Sequence, residues 1–235
     1  MTATPSVQLI KLGTTRVGNA YGLPKDAEVL LERNVRAKMR DGITLATNVF
    51  RPSAPGRHPV ILHLSTMGKD TFPSDRSYER VPNTGLLRVS EFAIFEAPDP
   101  MYWVPHGYVV VSADCRGSWD SEGAFLEHLS PQTARDFYDL VEWAAAQEWS
   151  DGKVGANGVS YLAITQWLGA AERPPHLKAI LPWEGLNDPY REWAFHGGIP
   201  DCGFYREYFW SHRRSRPQRD ALRGLGRCAK RAPAL

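Results

Sequence analysis

The sequence predicts an α/β protein: a mostly parallel sheet with helices on both faces, entered through an N-terminal antiparallel hairpin and incomplete at its C-terminal side. Three observations carry this. Residues 59–64 (PVILHL), 108–113 (YVVVSA) and 178–182 are short, almost wholly apolar runs of the kind that lie buried on both faces of a parallel sheet. Segments with the 3.6-residue spacing of amphipathic helices alternate with the later runs, which is the βαβ pattern. The 235 residues are 43% hydrophobic and 23% charged, enough for one large domain and outside the range of disordered, collagenous or coiled-coil chains.

The elements follow in order. Residues 35–40 and 43–50 flank Asp41-Gly42, a strong hairpin signal. Residues 51–57 hold Pro and Gly and read as a turn before the 59–64 strand. The 43 residues from 65 to 107 are too many for a simple crossover, and their prolines and aromatics suggest a helix with a functional loop. After the 108–113 strand, Ser130-Pro131 supplies an N-cap hydroxyl and a proline at the first helical position. The helix should run to about Trp149, with Phe137, Leu140, Val141 and Ala144 on its buried face. Asp151-Gly152 then leads to a short strand at 153–156, a helix at 161–171 and the strand at 178–182.

Charge divides the chain. The formal net charge is +2, but residues 211–235 hold seven Arg and one Lys against Asp220, leaving residues 1–210 at −5. We therefore expect one α/β domain over 1–210, with a further region starting near 184, and a basic, disordered tail over 211–235. Such a tail could hold anionic partners without sequence preference, and a non-catalytic binding protein is the competing reading. The tail has no aromatic residue for stacking and no recognisable module, so no specific nucleic-acid partner is expected. Cys115, Cys202 and Cys228 form no CxxC pair, and seven histidines show no HExxH spacing, so neither a metal nor a cofactor is expected. No run of signal-peptide or bilayer-spanning length occurs, which points to a cytoplasmic protein.

The informative stretch is Gly155-Ala156-Asn157-Gly158-Val159-Ser160-Tyr161-Leu162-Ala163. It places a serine between a strand and a helix, the setting of the G-x-S-x-G nucleophile elbow, with Leu162 where the second glycine normally stands. A serine so placed needs a histidine to take its proton and oxyanion donors beside it. The backbone N–H of Tyr161 would be the first donor, and the loop after the 59–64 strand should supply the second.

Five segments in one order extend this reading: MRDGITLATNVFRP (39–52), MGKD (67–70), SADCRGSWDSEG (112–123), GVSYLAITQW (158–167) and WAFHGGIPD (193–201). Together they resemble the cocaine esterase and X-prolyl dipeptidyl-peptidase-like hydrolases, the CocE/NonD group, over residues 35–208. The resemblance implies an α/β-hydrolase fold and a serine hydrolase that cleaves small-molecule esters or amides through an acyl-enzyme on Ser160. The family usually reads Pro-Tyr-Gly-Lys-Asp in the second oxyanion loop and uses the tyrosine hydroxyl. Here Thr66-Met67-Gly68-Lys69-Asp70 puts Met67 at that place, and a thioether donates no hydrogen bond. A backbone amide of the loop or Thr66 must substitute, or the hole is weakened. Arg116 in Asp114-Cys115-Arg116-Gly117 reads as a structural brace paired with a carboxylate near the elbow.

The rest of the triad is harder to place. On this fold the order is Ser, acid, His. His176 enters the sheet from the wrong end, and Asp188 and His196 have the right order but lie only eight residues apart. The resemblance implies that the region from near 184 starts a cap and that acid and base come later, so the expectation is a C-terminally shortened member with an out-of-frame tail and little turnover of its own. Removing residues 211–235 should leave the melting temperature of the body unchanged, since the tail offers few groups able to bury area; a fall of several degrees would show that it packs.

Overall fold

The computed structural model describes residues 4–17, 21–71, 89–125 and 129–203. The basic tail and the interior of the 65–107 connection lie outside the described residues. β1 (Ser6–Lys11), β2 (Glu28–Lys38), β3 (Thr44–Pro52), β4 (His58–Ser65), β5 (Val109–Asp114), β6 (Ser150–Val159) and β7 (Leu177–Trp183) form one sheet in the order β1-β2-β3-β5-β4-β6-β7. Pairing is antiparallel from β1 through β3 to β5, and β5, β4, β6 and β7 run parallel. The expected hairpin is β2–β3. β4 and β5 are buried along almost their whole length, as their uninterrupted apolar runs require.

Helices cover both faces. α2 (Pro131–Ala145) and α3 (Tyr161–Ala171) lie on one face, where Leu62, Leu64, Val109 and Val111 meet Phe137, Leu140, Val141 and Leu162. On the other, Phe50 and Val110 pack with Met101 and Val104 from α1 (Pro100–Trp103) and the tight turn after it. The alternation of neighbouring β3 and β5 residues between the two clusters is the period of two of a strand. α2 starts as read from the sequence: Ser130 caps it in a reciprocal box with Thr133, and Phe137, Leu140, Val141 and Ala144 are buried. Such a cap is worth about 1 kcal/mol. Gly169 lets α3 approach α2, because a Cβ there would lie 2.0 Å from Phe137.

Four details depart from the sequence reading, one being that β6 runs from Ser150 to Val159 rather than over 153–156. β1 was not expected; it is a mostly exposed edge strand, legible only through its pairing with β2. β2 begins seven residues early at Glu28, and a bulge between Glu32 and Val35, with Asn34 at φ 58°, separates its two halves. α2 ends at Ala145 rather than near Trp149, since Trp149 turns its carbonyl to the His58 amide to start the β4–β6 pairing. The short strands β8 (Phe195–His196) and β9 (Ile199–Pro200) form a separate hairpin around Gly197-Gly198. Among the described residues no helix is long and apolar enough to cross a membrane.

His63 sits in β4 on the face away from α2 and α3. It is 1% exposed, and its Nε2 lies 2.9 Å from Ser112 Oγ. Burial lowers its pKa from 6.5 to about 3. The unfolded chain thus binds a proton in that window that the folded chain refuses. The stability of the wild type relative to His63→Gln should therefore fall as pH drops below about 6.5. Urea melts of both proteins between pH 7 and pH 4 check this; a pH-independent difference would show that His63 protonates in the fold.

Candidate active site

Ser160 stands where β6 ends and α3 begins, at φ 59° and ψ −120°, a conformation L-residues rarely hold. Its neighbours hold it there. The Ser160 amide donates to Trp183 O at the end of β7 (2.9 Å), and the Val159 amide donates to Glu96 O (3.0 Å). The Ser160 carbonyl accepts from Ala163 and Ile164 in the first turn of α3. Gly158 is needed for contact: a Cβ there would lie 2.5 Å from Leu162 Cβ. That explains the departure from G-x-S-x-G, since Leu162 is buried and fills the space that Gly158 leaves. Gln166, buried behind the turn, donates to Leu162 O (3.0 Å) and accepts from the Leu181 amide (3.0 Å), tying elbow to β7. Among the described residues no side chain hydrogen-bonds Ser160 Oγ.

β4 is the neighbour of β6, so the 66–70 loop that follows β4 borders the elbow. Met67 is there, as expected, but its amide donates to Ser65 Oγ at 2.9 Å. Neither the Met67 thioether nor its committed N–H is therefore suited to be the oxyanion donor expected of this residue. Thr66 differs: its carbonyl accepts from Trp119 Nε1 (2.9 Å), while its Oγ1 is shielded from solvent and has no hydrogen-bond partner. Trp119 also lies over Gly68, where φ is 94° and a Cβ would meet the indole at 2.5 Å.

Lys69 turns inward and is fully buried. Its ammonium contacts Asp70, Asp120 (3.1 Å) and Asp114 (3.9 Å), and its amide donates to Asp114 Oδ1 at 2.6 Å. Burial works against this ammonium, but the hydrogen bond to Asp70 and the charges of Asp114 and Asp70 outweigh it and hold its pKa above the ordinary lysine value. Burial pushes the Asp114 carboxyl up to about 7. On the opposite side of the elbow, Glu96 has φ 66° and a buried, unpartnered Oε2, and burial followed by the charge of Glu184 raises its pKa to about 7.

The remaining sequence candidates separate. The Asp188 carboxylate caps the turn that follows it, accepting from the Tyr190 and Arg191 amides and pairing with the Arg191 side chain (2.5 Å). His196 Nε2 lies 2.6 Å from Glu192 O. The fold engages each locally and does not join them into an acid–base pair. His176 lies before β7, paired with Glu142 at 2.7 Å, at the end of the sheet away from Ser160, as read from the sequence. Arg116 is a brace, but its partners are Asp136 on α2, held bidentately at 2.6 and 2.8 Å, and Asp41 in the hairpin turn, not a group at the elbow. Glu96, Gln166 and Glu184 were missed. Glu96 and Glu184 carry no local signal, because they meet the elbow through pairing between distant segments, whereas Gln166 lies within the 158–167 segment, one helical turn from the Leu162 carbonyl it bonds.

A parallel sheet whose strand breaks into a helix at a strained serine defines the α/β-hydrolase fold. Residues 41–231 match the X-Pro dipeptidyl-peptidase (S15) family, and the chain belongs to it. Cocaine esterase of Rhodococcus sp. (strain MB1 Bresler) is 36% identical over 174 residues, covering 74% of this chain and 27% of the esterase. A solved CocE/NonD family hydrolase from Staphylococcus aureus superposes with a TM-score of 0.81 at 40% identity, covering 96% of this chain and 40% of that one. An α-amino acid ester hydrolase gives 0.53 at 25% identity, over 71% of this chain and 27% of the other. The chain spans about a quarter of the length of the curated relatives it matches.

Backbone strain at a non-glycine residue costs on the order of 1–3 kcal/mol, more than the extra chain entropy of a glycine. Ser160→Gly should therefore stabilise the fold by about 1 kcal/mol in urea unfolding while removing the hydroxyl. A destabilised variant would mean that the turn is not strained.

Proposed function

We propose that the chain carries the nucleophile half of a serine hydrolase that cleaves ester or amide bonds through an acyl-enzyme on Ser160. The observation that carries this is Ser160 itself, held at φ 59° at the end of a parallel strand with no side-chain hydrogen bond to its hydroxyl among the described residues. In the first step Oγ attacks the substrate carbonyl carbon, its proton leaves to a base, and the carbonyl oxygen takes the negative charge. The Tyr161 N–H, at the start of α3, meets that charge together with the dipole of the helix. We assign the second donor to a backbone amide of the 66–70 loop other than those of Met67 and Lys69, which are engaged with Ser65 and Asp114, since the Thr66 hydroxyl is shielded from solvent. Collapse expels the alcohol or amine, and water then releases the acid.

Exposed Trp119, Trp167 and Trp183 are attached to the elbow's surroundings: the Trp119 indole donates to the Thr66 carbonyl, Trp167 lies against Gly185, and the backbone carbonyl of Trp183 accepts the Ser160 amide. Their indoles suit a substrate with an apolar or aromatic acyl or leaving group. The names of the relatives include an ester of that kind and X-Pro dipeptides, so the small-molecule class is ester or amide. The thiols of Cys115 and Cys202 are unpaired, which suits a cytoplasmic setting. Family membership favours this reading over a binding protein with a basic tail.

With no imidazole on Ser160 among the described residues, acceleration by them is limited to roughly 10³ to 10⁴ over water. Hydrolysis of an activated aryl ester by the wild type should accordingly be slow, lost in Ser160→Ala and unchanged in His196→Ala. Activity that survives Ser160→Ala overturns the assignment. Loss in both variants would restore the Asp188/His196 pair, since members of a triad fail together.

A further inference from the structure

The group of charges behind the 66–70 loop is costly. Lys69 is 1% exposed and Asp114 0%, and burying two ions takes several kcal/mol of solvation that apolar side chains of the same size would not lose. Five charged groups face one another there: Lys69 and Arg33 against Asp70, Asp114 and Asp120. Their geometry shows what they hold. Asp114 ends β5, opposite Ser65 at the end of β4, and its two carboxylate oxygens accept from the Lys69 amide (2.6 Å) and the Asp120 amide (3.4 Å). One carboxylate thus joins the loop after β4 to the turn after β5. Lys69 closes the same joint from within, reaching Asp120 with its ammonium, while its carbonyl accepts from Asn48 on β3 (3.2 Å). Asp70 is held by Asn48 Nδ2 (2.8 Å) and Arg33 Nη1 (2.6 Å). The same turn after β5 carries Trp119, whose indole N–H fixes the Thr66 carbonyl.

We propose that Asp114 and Lys69 are positioning residues for the Ser160 reaction: they lock the 66–70 loop to the turn after β5, and so set where that loop presents its hydrogen-bond donor to the tetrahedral intermediate. The proposal rests on the reading of Ser160 as nucleophile. A brace serving stability alone would be built more favourably from apolar residues, whereas a donor displaced by about 1 Å loses on the order of a hundredfold in rate. The buried pair supplies directionality, because each hydrogen bond it makes fixes a different atom of the loop or of the turn it is tied to.

The test separates tetrahedral from planar ligands. An aryl boronic acid accepts the lone pair of Ser160 Oγ, forming a B–O bond and a tetrahedral anionic boronate while the serine proton passes to solvent; the matching aryl carboxamide binds without that change. Affinities are measured for the full chain by titration, with boron-11 NMR reporting the tetrahedral adduct. Asp114→Asn keeps one acceptor for Lys69 but loses the one facing Asp120, and should weaken boronate binding by about ten- to a hundredfold with carboxamide affinity unchanged. Asp120→Asn, at the half-exposed partner, changes less of the buried pair and should weaken it severalfold if Asp114→Asn does not fold. Equal loss of both ligands, or full boronate affinity in a folded variant, overturns the positioning role. Failure of the wild type to form a boronate, or an adduct that persists in Ser160→Ala, instead overturns the reading of Ser160 and the proposal with it.

Discussion

The turn at Ser160 is the constraint around which the molecule is arranged. A residue with a Cβ at φ 59° persists only when its surroundings overdetermine it. Here they do so from three sides: β7 through the Trp183 carbonyl, the 96 segment through the Val159 amide, and α3 through the Ala163 and Ile164 amides. Packing closes the remaining freedom, with Leu162 set on Gly158 and Ala163 close to Gly185. Ser160 is thereby fixed at the junction of β6 and α3, partly exposed.

The same logic explains why the middle of the sheet is so apolar and its C-terminal end so polar. β4 and β5 carry uninterrupted buried residues that fix the relative height of their ends, with Ser65 opposite Asp114. Beyond those ends the chain must turn, and the turns cannot satisfy one another by sheet pairing. Asp114, Lys69 and Asp120 supply the missing hydrogen bonds at the expense of buried charge. Glu96, whose backbone carbonyl accepts the Val159 amide, adds a carboxyl with a raised pKa that feels the charge of Glu184. The end of the sheet is thus polar by construction, which suits a site where charge develops during acyl transfer.

Arg116 shows how far a correct residue reading can still misplace a contact. An arginine after a buried strand was read as a brace, and it is one. Its carboxylates come from α2 and from the Asp41-Gly42 turn, two segments that only the folded sheet brings together. Asp188 and His196 show the converse. Their order fits a triad, but each has a nearer partner, Arg191 and the Glu192 carbonyl, and short-range bonds take both side chains first.

The sequence by itself determined what depends on neighbours along the chain. Buried parallel strands announce themselves as apolar runs, helix α2 through its Ser130-Pro131 start and Phe137/Leu140/Val141/Ala144 face, the hairpin through Asp41-Gly42, and the elbow through Gly158-Val159-Ser160. Each signal is local because backbone dihedrals, caps and period are local properties. Only the tertiary structure decided the carboxylates that Arg116 braces, the pairing of Glu96 with Val159, and the charge joint of Lys69 with Asp114. A hydrogen bond between residues 45 or more positions apart leaves no periodicity in the chain; its partners are fixed by sheet register and burial, which exist only once the strands have assembled.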